Sequence, residues 1–234
     1  MKISFKLPII ILLAGVSAFA STITYVTPGG ATVTDGAVSA EAEFITGAGQ
    51  LTIHLSNLLA NIQSVGQGLS DLSWTFNGAM VSTALDFSSA NAIDIASDGT
   101  YTSLGLDTTG WGLDGTGLRI CLLGSCGVGP EHVLLGPPDG SDVYSAATGS
   151  IAGNGPHNPF LNGTATFLLT VPGLTADTTV TGATFSFGTT EGSNVVGVPE
   201  GGGSVPAEIP EPGTWLLLSS GGLLLAVGRK TLLR

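Results

Sequence analysis

The stretch Ala37-Val38-Ser39-Ala40-Glu41-Ala42-Glu43-Phe44-Ile45-Thr46-Gly47-Ala48-Gly49-Gln50-Leu51-Thr52-Ile53-His54-Leu55-Ser56 decides the fold class. Val38, Ala40, Ala42 and Phe44 alternate with Ser39, Glu41 and Glu43, and Leu51, Ile53 and Leu55 alternate with Thr52, His54 and Ser56. A period of two places one set of side chains in a core and the other on a wet surface, the signature of half-buried strands. The glycines between the two runs predict a hairpin. Apolar must oppose apolar, so Phe44 is expected opposite Ile53 and Ala42 opposite Leu55, around an even-length turn at Ala48-Gly49. The same register puts Glu43 opposite His54.

The pattern recurs outward from this hairpin. Leu72, Trp74 and Phe76 alternate, Leu118 to Leu122 is a short apolar run, Ala165, Phe167, Leu169 and Val171 share a face, and Ala183, Phe185 and Phe187 follow suit. Eight to ten strands between turns predict an all-β body, a two-sheet antiparallel sandwich of jelly-roll-like kind. The stretch Leu58 to Leu69 is the helical candidate, weakened by Gly66 and Gly68. The body is read as 21–191. Residues 192–209, with Gly201-Gly202-Gly203, Pro199 and Pro206, read as a flexible linker.

The chain has 234 residues, 36 glycines, six Lys and Arg, and a net charge of −11. All seventeen carboxylates lie between Asp35 and Glu211, a span in which Arg119 is the lone cation. Phosphate recognition needs the opposite sign, so nucleic acid is not an expected partner. Metal cations, neutral sugars and basic partners fit the charge. With 43% hydrophobic residues the body has enough apolar content for a core.

The basic residues sit at the ends. Lys2 and Lys6 precede the apolar run Ile9 to Val16, and Ala18-Phe19-Ala20 forms a small-x-small site. Residues 1–20 therefore read as a signal peptide cut by signal peptidase, with Ala18 and Ala20 flanking the cleavage position and Ser21 opening the mature chain. At the other end, Pro210-Glu211-Pro212 leads into an apolar run over 215–228 that contains Trp215, Leu216, Leu217, Leu218, Leu223, Leu224 and Leu225; Arg229, Lys230 and Arg234 follow. As a helix this run spans about 21 Å, short of the roughly 30 Å hydrocarbon core. The basic cluster would hold that end in the cytoplasm and leave the body on the far side of the membrane.

This tail, residues 210–234, resembles the PEP-CTERM sorting signal: Pro-Glu-Pro, a short apolar helix, and a basic end. The resemblance implies recognition by exosortase, a membrane transpeptidase-like enzyme that removes the helix and passes the body to the surface of bacteria that make exopolysaccharide. It implies an exported protein of the cell surface or extracellular matrix, non-enzymatic, held transiently in the inner membrane, with exopolysaccharide or biofilm as its setting. A plain single-pass anchor is the alternative reading of the same tail.

Within the body, Cys121 and Cys126 frame Leu122-Leu123-Gly124-Ser125. In an exported chain this spacing predicts a disulfide, the two cysteines facing each other across a four-residue hairpin loop. His54, His132 and His157 show no metal spacing, and no metal site is assigned. Asp94, Asp98, Asp107, Asp114, Asp139 and Asp142 sit in Gly-rich turns, where oxygen ligands would suit calcium but where Asp-Gly also serves turn chemistry. Glu41 and Glu43 share a strand face as a glycosidase pair would, though on the polar face of an expected solvated hairpin. Trp111, in Gly110-Trp111-Gly112, reads as a loop-borne platform for stacking on a sugar, and Trp74 reads as core. No catalytic residue is assigned and no cofactor is expected. The alternatives to a matrix protein are a carbohydrate-binding module using Trp111, a secreted hydrolase, and an ice-binding protein using threonines such as Thr164, Thr166 and Thr170.

Overall fold

The computed structural model describes residues 20–201 apart from 176 and 191. The signal-peptide reading up to residue 19, Ala18 included, lies outside the described residues. So do Pro210, Glu211, Pro212, the run 215–228, Arg229, Lys230 and Arg234. The described part is mostly β and its fold is β-sandwich-like.

The first strands are β1 (Ser21–Val26), β2 (Thr32–Val33), β3 (Gly36–Ala37), β4 (Ala40–Gly47) and β5 (Gln50–Asn57). The middle of the chain supplies β6 (Leu69–Phe76), β7 (Ala84–Ile95), β8 (Tyr101–Asp107), β9 (Gly112–Leu113), β10 (Arg119–Cys121) and β11 (Leu134–Leu135). The last are β12 (Phe160–Thr170), β13 (Val180–Phe187), β14 (Asn194–Val196) and β15 (Val198–Pro199). The stretch Leu58 to Leu69 holds no α-helix; its helical content is one 3₁₀ turn, Val65–Gln67, closed by a capping box from Ser64 and Gln67.

The β4–β5 hairpin has the expected register: Phe44 opposes Ile53, Ala42 opposes Leu55, Glu43 opposes His54, and Gly47 pairs with Gln50 across the two-residue turn Ala48-Gly49. Gly49 holds φ at +75° with open space around it. Its conformation, not packing, requires glycine. Gly49→Ala is expected to cost about 1 kcal/mol, read as a shift of the urea midpoint. The inward set, Ala40, Ala42, Phe44, Leu51, Ile53 and Leu55, is fully buried.

The pairings run β14-β13-β6-β11-β12-β5-β4-β1-β15, and β7 adds to β12, β8 to β7, β10 to β6 and β9 to β10; β2 and β3 form a separate small sheet. The long pairs are antiparallel, while β11 lies parallel to β12 and antiparallel to β6, which makes the large sheet mixed. The path closes on itself. β14 and β15 are neighbours in sequence, β14 pairs with β13, β15 pairs with β1, and the Gly197 amide between them donates to the Ala183 carbonyl at 2.9 Å. Phe44 of β4 then meets Trp74 of β6 across the interior, with ring centroids 6.3 Å apart. The folded body therefore continues to Pro199. Two short strands, Asn194–Val196 and Val198–Pro199, thus lie within the span 192–209 that reads from sequence as a linker.

The threonines of the outer faces tie strands together. Ser56 and Thr164 hydroxyls meet at 2.8 Å, the His54 ring meets Thr166 at 3.2 Å, and Thr170 donates to Asp86 at 2.6 Å. Such cross-strand pairs are a unit of sheet stabilisation. On the β7–β8 hairpin, by contrast, Phe87, Leu104 and Leu106 are exposed.

Candidate functional site

The disulfide between Cys121 and Cys126 is formed, with Cα atoms 5.8 Å apart. Its setting corrects the expected hairpin. Cys121 ends β10, where it pairs with Asp71 and Gly112, whereas Cys126 closes a 3₁₀ turn, Gly124–Cys126, with Gly127 left-handed behind it. A side chain on Gly112 would come within 2.5 Å of the Cys126 carbonyl, so that glycine is what lets the turn pack down on the strand. The bridge closes a short loop, and replacing both cysteines by serine is expected to lower stability by about 2 kcal/mol, measured by urea denaturation of the double variant against the parent.

Beside this bridge, the outer face of β10, β6, β13 and β14 forms a polar hollow of about 400 Å³ lined by Asp71, Ser73, Arg119, Thr184, Ser186, Gly192 and Asn194. Strand alternation explains the lining. In β6, Leu72 and Trp74 point into the core, which turns Asp71 and Ser73 outward; in β13, Phe185 and Phe187 are buried, and Thr184 and Ser186 alternate with them. The registers arrange the groups in two rows: Cys121, Asp71, Ser186 and Asn194 in one, Arg119, Ser73, Thr184 and Val196 in the other. Arg119 and Asp71 are diagonal neighbours across β10 and β6, within reach of a long side chain. The Arg119 guanidinium donates to the Asp71 carboxylate through both Nε and a terminal nitrogen. Asp71 is 5% exposed at the side chain and Arg119 27%. Farther along the first row, Ser186 donates to the Asn194 side-chain oxygen at 2.6 Å. The lone cation of the body thus lies against a buried carboxylate within an acidic chain.

Sequence reading did not gather these residues. The signal present was Arg119 as the one basic residue between Asp35 and Glu211, in a short strand run, with Asp71 and Ser73 at the polar positions of another. Which strands would be neighbours was not written locally.

The expected sugar platform is overturned. Trp111 is 4% exposed; its indole N–H donates to the His132 carbonyl at 2.8 Å and its ring lies 5.5 Å from that of Phe167. It is a core residue, like Trp74. His157 is also buried, and its Nδ1–H donates to the Glu131 carbonyl at 2.5 Å, so that it pins one loop to another. Three of the turn aspartates act locally: Asp98 accepts from the Thr100 amide and hydroxyl, Asp114 from Thr116, and Asp139 from the Ser141 and Val143 amides; Asp142 instead accepts from the distant Tyr101 hydroxyl. Among the described residues no three His, Cys, Asp or Glu side chains gather in a way that could hold a metal ion.

Glu41 and Glu43 lie on the outer face of β4, as alternation required. Partial burial raises the Glu41 pKa above its ordinary 4.5, and the nearby charges of Glu200 and Glu43 push it the same way. A carboxyl raised in the fold contributes most below its unfolded value, and that contribution is lost as pH rises through the folded one. Glu41→Gln is therefore expected to raise the urea midpoint at pH 7 and to leave it unchanged at pH 3.

No family model matches the chain, and no curated protein and no solved structure matches it either. The residues themselves must carry the functional reading.

Proposed function

We infer that this is an exported, non-enzymatic protein of the bacterial cell surface or extracellular matrix. It is delivered by its signal peptide, sorted through its tail by an exosortase-like membrane enzyme, and associated with exopolysaccharide or biofilm. The observation that carries the reading is the order of Pro210-Glu211-Pro212, the apolar run 215–228 and the basic Arg229, Lys230 and Arg234. The Cys121–Cys126 bridge adds support, because disulfides persist where the surroundings are oxidising. The body is read more finely as a two-sheet sandwich, β8-β7-β12-β5-β4-β1 facing β14-β13-β6-β10-β9. It is jelly-roll-like in that its strands roll into a closed wall. The packing of Phe44 against Trp74 supports that division.

The test is intact mass spectrometry of the full chain expressed in a host with an exosortase system and in the same host lacking the enzyme. Enzyme-dependent loss of the residues after Pro210–Pro212 is expected. A chain still ending at Arg234 in both strains would make the tail a plain anchor.

A further inference from the structure

We propose that the hollow between Arg119 and Asn194 binds a neutral saccharide through its hydroxyl groups. The inference rests on the matrix-protein reading for where such a ligand is met, and on the hollow for how it is held. Four observations narrow the chemistry. First, every described lining residue is polar or glycine: Asp71, Ser73, Arg119, Thr184, Ser186, Gly192 and Asn194. Most small-molecule pockets are lined by apolar and aromatic side chains with a few polar groups, so one of this composition suits a ligand that is polar over its whole surface. Second, the lining mixes donors and acceptors. The carboxylate accepts, the guanidinium donates, and the hydroxyls and the amide do both, as sugar hydroxyls require.

Third, the one cation on the described lining is already engaged: Arg119 donates to Asp71, and a free anion would also meet an acidic body around the site. A metal cation would have to displace the guanidinium from Asp71. Fourth, the frame is rigid. Apart from Gly192, which lies in the β13–β14 turn, the described lining comes from four hydrogen-bonded strands, and the Cys121–Cys126 bridge begins in the same cross-strand row as Asp71. Groups fixed before a ligand arrives lose less freedom on binding. The volume, about 400 Å³, falls within the usual span of ligand pockets. This site differs from the expected one: it uses no aromatic ring, and Trp111 has no part in it.

The experiment uses the full chain in detergent micelles and two-dimensional amide NMR. The probes are glucose, galactose and mannose, their β1,4-linked hexamers, and a galacturonate hexamer as the anionic counterpart. At least one neutral hexamer is expected to shift the amides around residues 71–73, 119–121, 184–186 and 192–194, and the galacturonate hexamer to bind at least about tenfold more weakly. The isosteric Thr184→Val combined with Ser73→Ala is expected to weaken binding by about tenfold, the loss of one or two hydrogen bonds, with the remaining spectrum unchanged. No shift with any neutral sugar, shifts centred elsewhere, preference for the anion, or unchanged binding in the double variant would each overturn the proposal. Because exosortase takes no part in this assay, a failure here leaves the sorting result standing, and an uncut tail leaves the hollow's binding to be judged by itself.

Discussion

Phe44→Ala is expected to cost about 3–5 kcal/mol, a large share of the 5–15 kcal/mol that holds a domain of this size together. The reason is the position of the ring. Phe44 is fully buried in β4, edge-on to Tyr25 of β1 at 6.1 Å and tilted against Trp74 of β6 at 6.3 Å. It touches its own sheet neighbour and the opposite wall at once. Truncation loses the transfer energy of the ring and leaves a cavity that neither wall can fill without moving its strands. Phe87 is the control: it is 53% exposed, and Phe87→Ala should change stability by less than about 0.5 kcal/mol. Urea unfolding of the two variants, followed by tryptophan fluorescence, checks both. Equal midpoints would mean that the walls do not meet at Phe44.

The second large effect is expected at Arg119→Met, at about 3 kcal/mol. Asp71 is nearly buried, and removing the guanidinium strips that carboxylate of a charged partner which donates to it twice. Much of the cost is that of a nearly buried carboxylate losing a charged donor, not the value of the pair, so Asp71→Leu added to Arg119→Met should recover most of the loss. A double-mutant cycle in urea measures the coupling directly. If Arg119→Met alone is within about 0.5 kcal/mol of the parent, the pair is only surface decoration.

What sequence reading could reach here was local. The alternation over 40–57 set not only two strands but their register, because a one-residue slip would have turned Phe44 and Ile53 to water. Trp74 was legible as core for the same reason, lying between Leu72 and Phe76. Trp111 was not. Two flanking glycines mark a loop, but what meets the ring is the His132 carbonyl on the loop before β11 and Phe167 of β12, both remote in the chain. The strands at 194–199 were hidden by brevity and by Gly197, and they exist because β13 and β1 each offer an edge to them. The hollow shares this character: Asp71 and Arg119 are separated by 48 positions, and Asp71 and Ser186 by 115. Periodicity reports which way a side chain faces. It does not report which strand lies alongside.

The seam made by β14 and β15 also has a mechanical meaning. If the protein is held through the chain beyond Gly201 while its body is gripped elsewhere, the load enters the fold in a set order. It meets the Glu200 amide on the Thr24 carbonyl first, next the pairs of Pro199 and Val198 with β1, then Gly197 on Ala183, and last β14 on β13. A tether of this kind would yield in steps, opening the wall at β1 while Phe44, Ile53 and Phe167 keep the rest of the core closed.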